Sequence, residues 1–172
     1  LDRPAFEDAV AVLSARARHV AVLAGDAGAG IAGHAGVELR MLRPDVEVVV
    51  GTPVAVGQSI ARLGPGDIVL ALDLRRYDRW LLEAVDHAVG EGVALIALTD
   101  GPQSPLARLS RSLLVIEGEG IGPFDNYVGA LALLAALVTL SSVVPGLPGR
   151  ATAASCSGWT SSVNPPSTIR VF

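Results

Sequence analysis

The chain has a single cysteine, Cys156, among its 172 residues. One thiol excludes an internal disulfide and a cysteine-cluster metal site. Positive charge is also scarce: the net charge is −4 and the pI about 5.3, which argues against gripping nucleic acid by bulk electrostatics. The longest apolar run, Ala130 to Val144, is interrupted by Thr139, Ser141 and Ser142. It falls short of the roughly 20 apolar residues a membrane-spanning helix needs, so it is expected to be a buried core or dimer-interface helix. The first residues, LDRPAFEDAVAVL, are acidic and amphipathic and do not read as a signal peptide. His19, His34 and His87 do not stand at metal-ligand spacing from one another or from an acid, and no serine, histidine and acid are arranged as a nucleophilic triad. No internal repeat is evident. A cytoplasmic protein with no metal or cofactor, built as one domain with a tail, is the expectation.

What the chain has in abundance is apolar side chains, 51% of the residues, arranged in short runs. The stretch 67–109 organises the rest. IVLALDL is a branched apolar run bounded by Gly-Pro-Gly-Asp before it and charged residues after it, the pattern of a strand buried on both faces. The period then changes: Trp80, Leu81, Ala84, Val85, Ala88 and Val89 recur at helical spacing, with Gly90 and Gly92 ending the helix. VALIALT is the next strand. Two buried strands joined by a helix form a parallel crossover unit, and in such sheets ligands sit beyond the carboxyl ends of the strands. Those ends carry DLRRYD and TDGPQSP.

The same reading along the chain predicts helices over 4–17, in the stretch after Gly25 up to Pro44, over PVAVGQSIARL, and in the long apolar segment up to Val144, with Asp125 or Asn126 near the start of that last one. Strands are predicted at HVAVLAG, VEVVV and SLLVIEG, and a short turn at SPLARLS. Five strands alternating with helices make an α/β domain with a parallel sheet covered on both faces. Residues 1–144 are assigned to this domain. Residues 145–172, rich in Pro, Gly, Ser and Thr and without a period, are expected to be an irregular or disordered tail. A shifted reading frame through SCSGWTSSVNP would, with GC-rich codons, encode an amphipathic helix, so a frameshifted final helix is a second reading of that tail.

GAGIAG matches the dinucleotide fingerprint G-x-G-x-x-G directly after a strand, but VEVVVGTP lacks the acid at its end that would bind ribose. A flexible strand-to-helix turn with close helix packing, or a phosphate or sugar loop, are the competing readings. Arg75 and Arg76 at the third strand end either hold phosphate or carboxylate by paired hydrogen bonds, or pair with Asp73, Asp78 or a neighbouring subunit. Asp78, Glu83, Asp86 and Glu91 read as a solvated helix face. Thr99, Asp100 and Ser104 follow the fourth strand, where hydroxyls either meet sugar or phosphate or serve turn chemistry.

Taken together, ALTDGPQSPLARLS, GPFDNYVGALALLAALV and VAVLAGDAGAG resemble a SIS (sugar isomerase) domain, and more narrowly the ligand-binding half of RpiR-type bacterial transcription regulators. The resemblance spans roughly Val20 to Val144. It implies a flavodoxin-like three-layer sandwich with a five-stranded parallel sheet, a homodimer, and a phosphosugar or similar anion bound without catalysis at the strand ends. DNA would be met only through a helix-turn-helix domain that this chain does not include, as in a truncated regulator or a stand-alone sensor. The residues placed at the ligand are Gly25, Asp26, Gly28, Arg75, Arg76, Thr99 and Ser104. The chain departs from the family where GDAGAG and LDLRRYD stand in place of serine-bearing loops, and where Asn126 replaces a serine. The alternatives are a sugar-phosphate isomerase of the same fold, with Glu83, His87 or His34 as general base, or a degenerate domain that only dimerises.

Overall fold

A computed structural model describes residues 2–15, 19–118 and 125–143. The tail reading therefore lies outside the described residues. The elements alternate as expected: α1 (Arg3–Ser14), β1 (Val20–Ala24), α2 (Ala29–Leu42), β2 (Val46–Val49), α3 (Pro53–Ile60), β3 (Ile68–Leu72), α4 (Arg79–Gly90), β4 (Ala94–Thr99), β5 (Ser112–Val115) and α5 (Val128–Val143). Single 3₁₀ turns stand at Asp26–Gly28 and Pro105–Arg108.

The strands form one parallel sheet in the order β2-β1-β3-β4-β5. Alternating side chains divide the interior into two cores. Val20, Val22, Leu70, Ile96 and Leu98 pack against α1, α2 and α5; Ala21, Leu23, Val69, Leu95 and Ala97 pack against α3 and α4. Strands β1, β3 and β4 are covered on both sides, which is why their sequences run apolar without alternation. The order reverses between β1 and β3, and their carboxyl ends open a cleft there.

Helix starts follow local chemistry. Asp2 accepts the Ala5 N–H ahead of Pro4, and Thr52 accepts the Ala55 N–H ahead of Pro53. Thr52→Ala is expected to lower stability by about 1 kcal/mol in urea denaturation, the usual worth of such a cap. Two boundaries differ from expectation. α1 stops at Ser14 rather than Ala17, because Ala15 turns extended (φ −61°, ψ 155°). α3 ends at Ile60 rather than running through Leu63, whereas α4 ends as expected, at Gly90 with Gly92 at φ +84° making the reversal. The close packing foreseen in GAGIAG is met at Gly28, where a Cβ would stand 3.2 Å from Ala24 Cβ and from Leu72 Cδ2, whereas one on Gly30 or Gly33 would meet nothing within 4 Å. Gly36, within α2 and outside the dinucleotide pattern, also packs closely, against Val48.

Candidate functional site

At the β1–β3 cleft lies a cavity of about 190 Å³, lined by Gly25, Asp26, Ala27, Gly28, Leu72, Asp73, Leu74, Arg76, Asp78 and Tyr127. Each side comes from a strand end or the residues just past one. β1 runs into Gly25 and the turn at 26–28, and β3 into Asp73 and the loop to Asp78. Tyr127 stands immediately ahead of α5.

Two carboxylates build the floor. Asp73 is buried (4% exposed) and its Oδ2 accepts the Asp78 N–H at 2.8 Å. Asp78 precedes α4 as its N-cap residue but makes no capping hydrogen bond. Its Oδ2 instead accepts the Asp26 N–H at 2.8 Å, joining the β1 and β3 loops. Asp78 is therefore a wall of the cleft and not part of the solvated face that its spacing from Glu83 and Asp86 suggested. The main-chain N–H of Asp26, on the neighbouring loop, takes its carboxylate in place of solvent. Above the two acids lies Gly25. A Cβ there would stand 2.6 Å from Asp78 Oδ2 and 2.8 Å from Asp73 Oδ1. Its backbone (φ −57°, ψ 161°) is open to any residue, so this glycine answers to room and not to conformation.

Burial pushes the Asp73 carboxyl up to about 6, with the negative charges of Asp78 and Asp100 adding to it, against the favourable N–H of Asp78. The same electrostatics holds the Tyr127 phenol above its ordinary value, burial first and then Asp125 and Asp73.

Of the residues expected at the ligand, Gly25, Asp26, Gly28 and Arg76 come together around this cavity. Arg75, Thr99 and Ser104 do not line it. Arg75 sits at φ +60° and its guanidinium pairs with Asp125 at 3.0 Å, an acid not among the partners foreseen for it. The Asp125 side chain is only 8% exposed, so Arg75→Ala leaves a nearly buried carboxylate unpaired. A loss of about 1 kcal/mol in thermal or urea unfolding is expected. Thr99 and Ser104 are fully buried. The Thr99 hydroxyl donates to Asp100 Oδ1, and the Ser104 Oγ accepts the Leu106 N–H to start the 3₁₀ turn. Their hydroxyls serve turn chemistry. Tyr77 donates to Asp100 at 2.7 Å, tying the β3 loop to the β4 loop.

Asp73, Asp78 and Tyr127 are the polar cavity residues missed from sequence, beside the apolar Ala27, Leu72 and Leu74. The available signal was two acids bracketing a loop directly after a buried strand. The three candidate bases lie elsewhere. His34 faces Glu38 on the exposed side of α2. Glu83 and His87 are exposed on α4 beside a separate groove against α3.

The model of one family, described as SIS domain, matches residues 13–140. Among solved structures, the chain is similar to the sugar isomerase domain of an RpiR transcription factor from Sphaerobacter thermophilus. The two share 30% identity at a TM-score of 0.78, over 83% of this chain and 79% of that one. It is also similar to the Vibrio vulnificus NanR protein complexed with ManNAc-6P (22% identity, TM-score 0.73, 84% of this chain and 56% of that one). A phosphoheptose isomerase from Francisella tularensis shares the fold at 18% identity and TM-score 0.67, over 82% of this chain and 86% of that one. No curated protein matches the chain.

Proposed function

Because the chain belongs to the SIS domain family, we propose that it is the non-catalytic effector-binding domain of an RpiR-like transcription regulator, taking a carbohydrate derivative at the β1–β3 cleft. The observation that carries this reading is the cavity itself. It lies at the point where the strand order reverses, walled by loops from β1 and β3 and by the approach to α5. A sugar phosphate, the ligand class suggested by the resemblance, would depend there on Arg76 and on the Ala27 N–H, since the Asp26 and Gly28 N–H groups already donate to Asp78 and to the Gly25 carbonyl. The serines usual in the family's loops are absent.

The reading includes a homodimer. Val37 and Met41 on α2, and Val128, Leu131, Leu140 and Val143 on α5, are exposed apolar residues on two helices of the same layer. A second copy covering them would take these apolar side chains out of water. Ligand binding would then shift the dimer between two arrangements, to be read by a helix-turn-helix segment encoded upstream. Such a shift requires contacts that differ between the two states.

A sugar-phosphate isomerase is the second reading, and Asp73 is the observation that favours it. A carboxyl raised to about 6 inside a cleft is suited to proton transfer near neutral pH.

Thermal unfolding against a panel of free and phosphorylated sugars tests both. Stabilisation without turnover supports the sensor. Turnover abolished in Asp73→Asn supports the isomerase. Absence of any response from the panel overturns both.

A further inference from the structure

The loop after β3 turns sharply on its way along the cleft. The Arg76 N–H donates to the Leu74 carbonyl at 2.6 Å, closing three residues around Arg75, whose φ is +60°. A three-residue turn with positive φ at its centre is the rare and strained form. Glycine would take it without steric cost, yet an arginine stands there. Among the described residues it is the one non-glycine at positive φ.

Arg75 is held in that conformation from two sides. Its Nη1 donates to Asp125 Oδ1 at 3.0 Å, and the Asp125 side chain is only 8% exposed. Leu74 before it is buried, and Gly118 packs against both residues: a Cβ there would stand 3.6 Å from Leu74 Cδ1 and 3.9 Å from Arg75 Cδ. Asp125 is placed in turn, since the Asn126 N–H donates to the Gly118 carbonyl at 3.0 Å. Strain of this kind persists only where the surroundings over-determine it, and it clusters at ligand clamps. The residue that the turn delivers is Arg76. Arg76 is exposed, so burial does not fix the direction in which it leaves the chain; the turn behind it does. Among the described residues lining the cavity, Arg76 is the only cation.

We propose that Arg75 is a positioning residue: its hold on Asp125 keeps the strained turn closed, and the closed turn presents the Arg76 guanidinium to the phosphate of a sugar phosphate in the cleft. This rests on the reading of the domain as a sugar-phosphate sensor and gives the two arginines separate tasks, Arg76 touching the ligand and Arg75 aiming it. A planar guanidinium binds phosphate through paired donors, so its orientation counts as well as its charge.

The test is isothermal titration of the whole chain with glucose 6-phosphate, arabinose 5-phosphate and N-acetylmannosamine 6-phosphate, each beside its free sugar. Arg76→Ala is expected to narrow the preference for the phosphorylated form by about tenfold or more, the scale of a hydrogen bond to a charged group. Two further variants are expected to lose the same preference: Arg75→Gly, which keeps positive φ accessible, and Asp125→Asn, which leaves Arg75 in place but removes the charge it holds. Arg75→Lys, able to keep the ion pair, should retain most of it. Arg75→Gly combined with Arg76→Ala should cost no more than Arg76→Ala alone, since the first acts through the second. Cooperative urea melts check that each variant is folded. Parent-like preference in Arg75→Gly and Asp125→Asn overturns the proposal and leaves the sensor reading standing. So does tighter phosphate binding in Asp125→Asn, which would mean that a released Arg75 reaches the ligand itself. A parent that binds no phosphorylated probe overturns both.

Discussion

Gly25→Ala is expected to destabilise the domain by about 2 kcal/mol, the scale of overpacking at a closed site, and to weaken ligand binding by about tenfold or more, because relieving the clash moves two side chains that line the cleft. The reason is local. The backbone at residue 25 suits alanine, but the new methyl would lie 2.6 Å from Asp78 Oδ2 and 2.8 Å from Asp73 Oδ1. Neither carboxylate can swing aside freely. Asp78 holds the Asp26 N–H and Asp73 holds the Asp78 N–H, so relief means breaking a bond between loops or moving β1 away from β3. Gly30→Ala is the control, since its Cβ would meet nothing within 4 Å and α2 would gain a better helix former. Urea denaturation of both variants, with titration of whichever sugar stabilises the parent, checks the prediction. A Gly25→Ala protein as stable as Gly30→Ala and unaltered in binding would show that the cavity floor yields.

Asp73→Asn carries the second large effect, and its sign depends on pH. In the folded chain this carboxyl is raised to about 6, above its ordinary value of 3.8, so the folded state holds the proton more tightly than the unfolded one. Stability from this group is present at pH values below the unfolded pKa. It is lost as pH rises through the folded pKa. Asparagine does not titrate and keeps the hydrogen bond to the Asp78 N–H. Asp73→Asn is therefore expected to match the parent near pH 4 and to be the more stable by about 2–3 kcal/mol above pH 6. Paired urea melts across this range isolate the group from Asp45 and Glu47, whose carboxyls are shifted the opposite way and titrate in both proteins. A constant difference between the two proteins at all pH values would refute a raised Asp73. A residue that lowers stability at neutral pH yet lines the cleft fits the trade of stability for function found at binding sites.

The fold was legible because its signals are local. Each strand is four to six residues, most of them apolar, set off by glycine, proline or charge, and each helix after it changes the period. GDIVLAL and VALIALT could hardly be read otherwise. The cleft was half legible. Gly25, Asp26, Gly28 and Arg76 follow from the rule that parallel sheets bind at strand ends. The partners that decide its chemistry are set by distances the chain does not display. Asp78 meets Asp26 across 52 positions and Arg75 meets Asp125 across 50. Thr99 and Ser104 show the opposite limit. Their hydroxyls stand at the right end of β4, yet burial and turn hydrogen bonds occupy them. Spacing says which end of the sheet a residue reaches, not whether its side chain turns outward.

The six residues from Asp73 to Asp78 have a further consequence. They are moored to three different loops: through Asp78 to Asp26, through Tyr77 to Asp100, and through Arg75 to Asp125 just ahead of α5. Anything that draws the two acids toward a ligand also tugs the segment leading into the helix with the exposed apolar face. Linkage between two such places runs both ways with equal strength. If occupancy of the cleft tightens pairing of two copies tenfold, pairing tightens occupancy tenfold. The ligand affinity of this domain would then be a function of its own concentration, and titrations at dilute and concentrated protein would return different constants.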